Sequence, residues 1–290
     1  MKISISGLFG NSPRRDVAFV RDFAVACEAL GFSGMYAPEH VVFFPTYTSK
    51  YPYSEDGTPN WGPDTGIYDP LLVCAVAAGV TTTLRLATSV LILPERPALL
   101  VAKEVMTLDH ICGGRFDLGV GLGWSDEEFA ALGIPFERRG KRCDEYIEAI
   151  RVAWRDDRAT YHGEFVNFDD AVLRPRPVNG TVPIIVGGDS LAAKRRAARL
   201  GDGWYGWWAR GDLEEQLEPL HAALAANSRD RDAFSLRVGL PIGQETPEEV
   251  AAKAETARGL GVDEFVLGPG VPTRDFESHL QRWADATVRA

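Results

Sequence analysis

The chain has 290 residues, of which 45% are hydrophobic and 25% are charged, and its formal net charge is −10. This composition is typical of a globular protein with a sizeable buried core. The acidic balance disfavours nucleic acid and anionic lipid as partners, because both are polyanions. No apolar run has the length of a signal peptide at the N-terminus or of a membrane span elsewhere, so we predict a cytoplasmic protein that does not bind membranes.

Short apolar strands alternate with helices along the chain. We predict eight strands, in chain order Lys2–Leu8, Ser33–Pro38, Leu84–Leu93, Phe116–Gly121, Pro183–Val186, Trp204–Trp207, Phe234–Leu240 and Glu264–Leu267. A predicted helix follows each strand, over residues 12–31, 69–79, 97–114, 139–155, 190–200, 212–226, 247–260 and 275–289. Strands that alternate with helices form a parallel sheet, and eight such units favour a closed (β/α)8 TIM barrel over an open doubly wound sheet. We expect one domain over residues 1–290.

Capping signals support the helix ends. Ser12-Pro13 and Asp69-Pro70 each combine an N-cap residue with proline at the first helical position. Gly31 and Gly79 follow the last residues that keep the helical spacing, as C-terminal glycines do. Cys27 and Cys74 lie on the apolar stripes of these helices, so we predict buried free thiols.

Two insertions interrupt the repeat. Residues 41–68 are rich in Tyr, Pro, Thr and Gly and have no helical period. They follow a strand, so they lie at the carboxyl face of the barrel, where such folds hold their active sites, and we predict a lid or a substrate wall. Residues 156–178 contain a predicted hairpin, Thr160–Phe168, with His162-Gly163 near its turn.

Glu39-His40 ends the second predicted strand. A titratable pair at the carboxyl end of a barrel strand is well placed for proton transfer, and histidine changes its charge near neutral pH. The alternative is a histidine that only caps the strand. We take His40 and Glu39 as the candidate catalytic residues.

Small residues occur near the ends of two further strands. Ser89-Val90, after Thr88, would let a planar ligand approach the backbone, although these residues also suit an ordinary strand. Gly119 and Gly121 could leave backbone room beside a ring. Residues 119–124 do not form the G-x-G-x-x-G fingerprint of dinucleotide-binding proteins, because Trp124 stands where the third glycine would be. For the acidic residues 126–128 we favour a solvated helix start over a role in the site.

Gly187-Gly188 ends the fifth strand, and Ser190 begins the next helix. Glycine backbone at a helix N-terminus forms a site for an anion such as phosphate, although a tight turn capped by Ser190 explains the same residues. Arg210 and Arg274 follow later strands, and either could bind a phosphate with two hydrogen bonds, although for each taken alone we favour a solvent-exposed arginine. No metal-ligand set, P-loop or nucleophile elbow is present.

Five segments together resemble the luciferase-like monooxygenase superfamily. They are Leu30-Gly31-Phe32 with Glu39-His40, the strand with Thr88-Ser89-Val90, Gly114–Gly121, Leu173–Pro177 with Pro183–Gly188, and Gly201–Trp204. Within the superfamily the chain looks most like the coenzyme F420-dependent oxidoreductases. The resemblance covers most of the chain and implies a TIM barrel that binds a flavin or deazaflavin at the carboxyl ends of its strands.

The resemblance also implies roles for the candidate residues. His40, with Glu39 beside it, would face the reactive edge of the cofactor ring. Ser89-Val90 would back the ring, often through a non-prolyl cis peptide. Gly187 and Gly188 would bind the cofactor phosphate through their amides, and Arg210 falls where relatives place a basic phosphate ligand.

The sequence departs from the family pattern at two places. Leu122 and Trp124 follow the two G-x-G steps of the fourth strand, where some F420-dependent sugar dehydrogenases carry a glutamate. Trp207-Trp208 replaces small hydroxyl residues near the expected phosphate pocket. A sugar phosphate substrate is therefore not supported.

The resemblance leads to one main hypothesis and two alternatives. We expect an F420-dependent oxidoreductase that transfers a hydride to or from a small organic substrate, and that forms a homodimer. The first alternative is an FMN-dependent monooxygenase, which would use dioxygen and need a partner reductase. The second is a non-catalytic flavin-binding relative.

Overall fold

The computed structural model describes residues 1–7, 16–59, 61–62, 65–209, 211–272 and 274–289. Its strands are β1 (Lys2–Ile5), β2 (Gly34–Ala37), β3 (Arg85–Thr88), β4 (Leu91–Ile92), β5 (Phe116–Gly121), β6 (Ala159–His162), β7 (Asn167–Ala171), β8 (Ile184–Gly187), β9 (Gly203–Trp207), β10 (Ser235–Ile242) and β11 (Glu264–Pro269). Strands β6 and β7 form a separate antiparallel hairpin, and the others pair in parallel.

The parallel strands close into a barrel with eight positions. Strand β1 pairs with both β2 and β11, and the ring is completed through β3, β5, β8, β9 and β10. Strands β3 and β4 share one position, since both pair with β5. The predicted TIM barrel is confirmed. The third predicted strand, Leu84–Leu93, is interrupted at Ser89 and Val90, which belong to neither β3 nor β4.

The helices occupy the segments between the strands. They are α1 (Val17–Ala29), α2 (Pro70–Ala78), α3 (Ala98–Ile111), α4 (Asp126–Ala131), α5 (Arg139–Arg155), α6 (Leu191–Leu200), α7 (Leu213–Ala226), α8 (Pro247–Gly259) and α9 (Phe276–Thr287). Side chains next to the helix starts bind the first free backbone amides. The Asp69 carboxylate accepts from the amide of Leu71 at the start of α2, and Thr246 forms a capping box with Glu249 at the start of α8. The predicted cap Ser12-Pro13 lies outside the described residues, and Asp16 caps α1.

Polar groups fill part of the barrel interior. The Arg237 guanidinium donates to the Tyr36 hydroxyl at 2.8 Å and lies 2.9 Å from the Asp117 carboxylate, which Arg85 also contacts. The ring of Tyr36 stacks on that of Tyr205, with their centroids 5.7 Å apart. A filled interior makes the barrel a packed core, so a binding site must lie at the ends of its strands.

Both predicted insertions are present. Residues 41–68 connect β2 to α2, and their described part contains no helix. Residues 156–178 contain the predicted hairpin, in which Tyr161 stacks on Phe168. The four cysteines are buried free thiols, as predicted for Cys27 and Cys74. Within the described ranges, no helix has the length and apolar character needed to cross a bilayer.

Candidate functional site

His40 lies at the carboxyl end of the barrel, three residues beyond β2, and is paired with a carboxylate. Its Nδ1 is 2.8 Å from Oε2 of Glu128, a residue of α4 that is 1% exposed. Its Nε2 lies 3.4 Å from the indole nitrogen of Trp124, which can only donate. One tautomer satisfies both contacts: the proton is on Nδ1 and points to Glu128, and Nε2 carries the lone pair. This is the arrangement of a histidine that is oriented by a carboxylate.

Aromatic rings enclose His40. Phe43, Trp61 and Trp124 lie with their ring centroids 5.3, 5.7 and 5.8 Å from that of the imidazole. Tyr51 packs edge-on against both tryptophans, at 4.7 Å from Trp61 and 5.3 Å from Trp124. Only 11% of the His40 side chain is exposed. The insertion 41–68 therefore covers the histidine, as the prediction of a lid requires.

Helix α4 anchors the start of this insertion. The Glu128 carboxylate accepts from the amides of Val41 at 2.5 Å and Val42 at 3.3 Å. The neighbouring carboxylate, Glu127, accepts from the amides of Thr48 and Ser49 and from the Thr48 hydroxyl, at 2.6–3.1 Å. Burial acts to raise the pKa of Glu127, but these hydrogen bonds outweigh it and hold the pKa well below its usual value.

Glu39 contacts a different partner from its neighbour His40. Its carboxylate accepts from the amide of Ile92 at 2.5 Å and pairs with the Arg96 guanidinium, which also binds Asp69 at 2.6 Å. Glu39 is buried. These contacts tie the end of β2 to β4 and to the start of α2. The two predicted catalytic residues are thus both near the barrel mouth, but only His40 contacts Glu128.

The interruption of the third strand is packed against three glycines. The peptide bond between Ser89 and Val90 is cis, as the resemblance implied. A Cβ atom at Gly119 would collide with the Thr88 carbonyl, and one at Gly121 or Gly187 would collide with the Val90 side chain. Gly119 and Gly121 were predicted to leave room beside a ligand ring, but the side of each towards which a Cβ would point is filled by Thr88 or Val90.

The predicted phosphate site lies at the start of α6. Ser190 caps the helix, with its hydroxyl 3.2 Å from the amide of Ala193. Gly188 has a positive φ of 117° and its amide donates to the Tyr205 carbonyl at 3.0 Å, so this amide is already engaged. The predicted phosphate ligand Arg210 lies outside the described residues, and Arg274 is exposed.

The lid also extends over the opposite side of the mouth. Burial raises the pKa of the Tyr53 hydroxyl, and the nearby Asp189 carboxylate adds to this effect. Asp189 lies beside β9 and is held by Gln216, whose amide donates to it at 2.7 Å. The hydroxyl of Tyr205 is buried and has no hydrogen-bond partner among the described residues, and the same holds for Ser89. Each of these two hydroxyl groups can form a further hydrogen bond.

One residue of the acidic run 126–128 differs from the prediction. A solvated helix start was predicted for the run, which is correct for the exposed Asp126. Glu128, however, is buried against His40. The local signal was weak: Glu128 precedes the buried Phe129 and lies three residues after the capping Ser125, and neither fact points to a histidine 88 residues earlier. Arg96, which pairs with Glu39, was not identified at all.

Comparison with known proteins finds similarity to one protein family. The family model described as luciferase-like monooxygenase matches residues 1–289. An uncharacterised protein of Mycobacterium tuberculosis is 40% identical over 189 residues, which is 65% of each protein and thus just under two thirds of its length. The FMNH2-dependent dimethylsulfone monooxygenase of Pseudomonas putida is 28% identical over 94% of this chain and 72% of its own.

Solved structures share the fold at low sequence identity. A monooxygenase from Streptomyces bottropensis has a TM-score of 0.81 at 21% identity, covering 100% of this chain and 99% of its own. An F420-dependent secondary alcohol dehydrogenase has a TM-score of 0.79 at 16% identity, covering 99% of this chain and 98% of its own. These similarities support the barrel architecture.

Proposed function

Because the chain belongs to the luciferase-like monooxygenase family, we propose that it is an F420-dependent oxidoreductase acting on a small organic substrate. When bound, the deazaflavin supplies or accepts a hydride, and the protein supplies position and electrostatics. The observation that carries this proposal is the His40–Glu128 pair beneath an aromatic lid. Hydride transfer to a carbonyl, or from an alcohol, must be accompanied by a proton, and this pair can hold one.

The residues at the mouth fit a flat heterocycle with polar edges. The buried hydroxyls of Ser89 and Tyr205 have no partner among the described residues, and a ring carrying carbonyl and N–H groups would satisfy them. Because the Gly188 amide is engaged with Tyr205, the cofactor phosphate would bind to the other backbone amides at the start of α6, which Ser190 begins. We therefore keep Gly187 and Ser190 in the proposed phosphate region, to which Gly188 contributes through its turn with a positive φ and not through its amide.

His40 carries the proton chemistry in this proposal. Nε2 bears a lone pair and faces Trp124 through a long contact of 3.4 Å, which a substrate hydroxyl can replace. When Nε2 accepts a proton, the Glu128 carboxylate stabilises the resulting imidazolium. In the reverse direction the imidazolium donates the same proton to a substrate oxygen. Glu39 contributes indirectly, by holding the end of β2 on Arg96.

The lid provides the enclosed environment that hydride transfer requires. Trp61, Tyr51 and Phe43 exclude water from His40, and the contacts of Glu127 hold the lid closed. A substrate would enter when this loop opens and would be sealed in when it closes.

A cofactor titration tests the proposal. We expect purified protein to quench or shift F420 fluorescence in a saturable way. We also expect it to oxidise reduced F420 with one of a panel of small ketones or enones, or to reduce oxidised F420 with one of a panel of small alcohols. His40→Ala should keep cofactor binding and lose turnover by about a hundredfold or more. His162→Ala, on the exposed hairpin, is the matched control and should change neither.

The FMN-dependent monooxygenase is the second candidate, because the Pseudomonas putida relative that aligns with 94% of this chain uses FMNH2. Such an enzyme would use dioxygen and a partner reductase. Tight binding of FMN with no binding of F420 would establish this candidate and reject the first. If the protein binds a cofactor but turns over no substrate with either one, and His40→Ala leaves this binding intact, the chain is a non-catalytic relative.

A further inference from the structure

Trp124 faces His40 at the barrel mouth through its indole nitrogen. Nε1 of Trp124 lies 3.4 Å from Nε2 of His40, and the planes of the two rings are 76° apart. This contact is longer than an ordinary N–H hydrogen bond, which spans about 2.7–3.2 Å, so the indole N–H is held only weakly. The donor of Trp124 and the lone pair of His40 therefore point at the same small region, and a better partner placed there can bind both.

One oxygen atom of a substrate is such a partner. Two nitrogens 3.4 Å apart can both lie at about 2.9 Å from a single oxygen, which is an ordinary hydrogen-bond length. The indole N–H of Trp124 can only donate, whereas Nε2 of His40 accepts from an alcohol when it is neutral and donates to a carbonyl when it is protonated. A carbonyl oxygen and the alcohol oxygen formed from it thus both suit the position between the two nitrogens.

The surrounding rings indicate the body of the molecule that carries this oxygen. Tyr51 packs edge-on against Trp124 and Trp61, with ring centroids 5.3 and 4.7 Å apart. Phe43 packs edge-on against Trp61 at 6.2 Å. Aromatic walls of this kind bind flat, apolar groups by offset and edge-to-face contacts. Three of these four rings belong to the lid, so the closed lid would hold such a group against Trp124.

We propose that Trp124 is a second catalytic residue, which binds the same substrate oxygen as His40, and that the substrate is a flat, largely apolar ketone or the corresponding alcohol. This inference rests on the proposed function. As the hydride supplied by the reduced deazaflavin bonds to the carbonyl carbon, the π electrons of the C=O bond move to its oxygen. The Trp124 N–H stabilises the negative charge that develops there. The proton on Nε2 of His40 then passes to this oxygen, which leaves an alcohol and a neutral imidazole.

A second tryptophan–histidine pair provides a matched control. Nε1 of Trp283 lies 3.2 Å from Nε2 of His279, and their rings also meet at 76°. Both residues belong to α9, which packs against α1 and α8, and Trp283 is buried there. This pair is a contact between adjacent turns of one helix, outside the barrel mouth. Replacing Trp283 by phenylalanine therefore removes an equivalent indole N–H without touching the proposed site.

Binding of two probes to the cofactor-free protein tests the proposal. The probes are 2-naphthol, a flat ring system with one hydroxyl group, and naphthalene, the same ring system without oxygen, and equilibrium dialysis measures each Kd. We expect Trp124→Phe to weaken binding of 2-naphthol by about three- to tenfold, as the loss of one hydrogen bond predicts, and to leave naphthalene binding within about twofold. Retained naphthalene binding shows that the variant is folded. Trp283→Phe should change neither Kd.

Turnover by the cofactor-loaded enzyme is the second readout. With a flat aryl ketone as substrate, Trp124→Phe should lower kcat by about a hundredfold, because it removes one of the two donors to the charged oxygen. Trp283→Phe should keep the native kcat. A native kcat in Trp124→Phe would show that its N–H does not act on the substrate oxygen.

Two results of the binding experiment would overturn the proposal. If the native protein binds naphthalene as tightly as 2-naphthol, no N–H donor meets the probe oxygen, and this result needs no variant at all. If Trp124→Phe weakens the binding of both probes equally, Trp124 only packs against the ligand. Because neither measurement uses a cofactor, a failure of F420 to bind would reject the proposed function and leave the binding result readable.

Discussion

Nδ1 of His40 lies 2.8 Å from Oε2 of Glu128, and the same carboxylate accepts from the amide of Val41, the first residue of the lid. One side chain of α4 therefore orients the candidate proton-transfer residue and fixes the loop that covers it. The arrangement links closure of the site to its chemistry, because a displaced lid would also disturb the hydrogen bonds around His40.

Glu128→Gln separates the charge of this residue from its contact with the lid. Glutamine keeps a carbonyl oxygen for the Val41 amide but cannot stabilise an imidazolium. We expect turnover to fall by about a hundredfold, because the variant leaves a protonated His40 without its counter-charge. Steady-state kinetics measures the loss, and His162→Ala, at an exposed histidine, is the control. Full turnover in Glu128→Gln would contradict the role assigned to the pair.

Glu127→Ala should loosen the lid without changing His40. The variant loses the hydrogen bonds from Thr48 and Ser49, so we expect amide exchange of residues 41–53 to speed up by about tenfold, equivalent to about 1.4 kcal/mol. Asp126→Asn, one residue earlier and exposed, is the control. The pKa of Glu127 is lowered in the folded protein. The stabilisation that its carboxylate gives to the lid is therefore present at neutral pH and is lost as the pH falls through that lowered pKa. Equal exchange rates in the Ala variant and the native protein would show that Glu127 does not hold the lid.

Gly119→Ala should destabilise the barrel at the interrupted strand. The new methyl group would overlap the Thr88 carbonyl, so β5 and the Ser89–Val90 segment must move apart. Overpacking of this kind costs about 1–3 kcal/mol or more in unfolding free energy, measured by urea denaturation. Gly270→Ala is the control, since its added Cβ would have no neighbour within 4 Å. Equal stability of the two variants would refute the packing role assigned to Gly119.

Glu95 makes the stability of the native protein fall with pH. In the folded protein, burial raises the pKa of Glu95 from the ordinary value of 4.5 to about 9. The contribution of Glu95 to the free energy of unfolding is therefore fully present below pH 4.5 and is lost as the pH rises towards 9. Glu95→Gln should remove this dependence. The difference in unfolding free energy between the variant and the native protein should therefore grow in favour of glutamine by at most about 1.4 kcal/mol per pH unit. Urea denaturation at pH 5, 6.5 and 8 measures it, and a constant difference would show that Glu95 is already ionised.

Much of the fold could be predicted from local patterns. The alternation of apolar strands with capped helices yielded all eight barrel strands, and β2, β5 and β9 were placed to within one or two residues at each end. The break in the third strand was not predicted from the pattern, because Ser89 and Val90 suit a strand as well as their neighbours do. Only the resemblance to the family indicated an irregular segment there.

The sequence by itself determined the order of the barrel elements and placed His40 at its carboxyl face, because capping, hydrophobic period and turn residues act over a few neighbouring positions. Only the tertiary structure decided which acids surround that histidine. Glu128 reaches His40 across 88 residues, and Glu39 reaches the Ile92 amide across 53. Whether an acidic side chain is solvated, paired or buried depends on the segments that the barrel brings together at its mouth. For this reason Glu128 was predicted to be solvated and proved to be buried, and Glu95 stood out only once its surroundings were known.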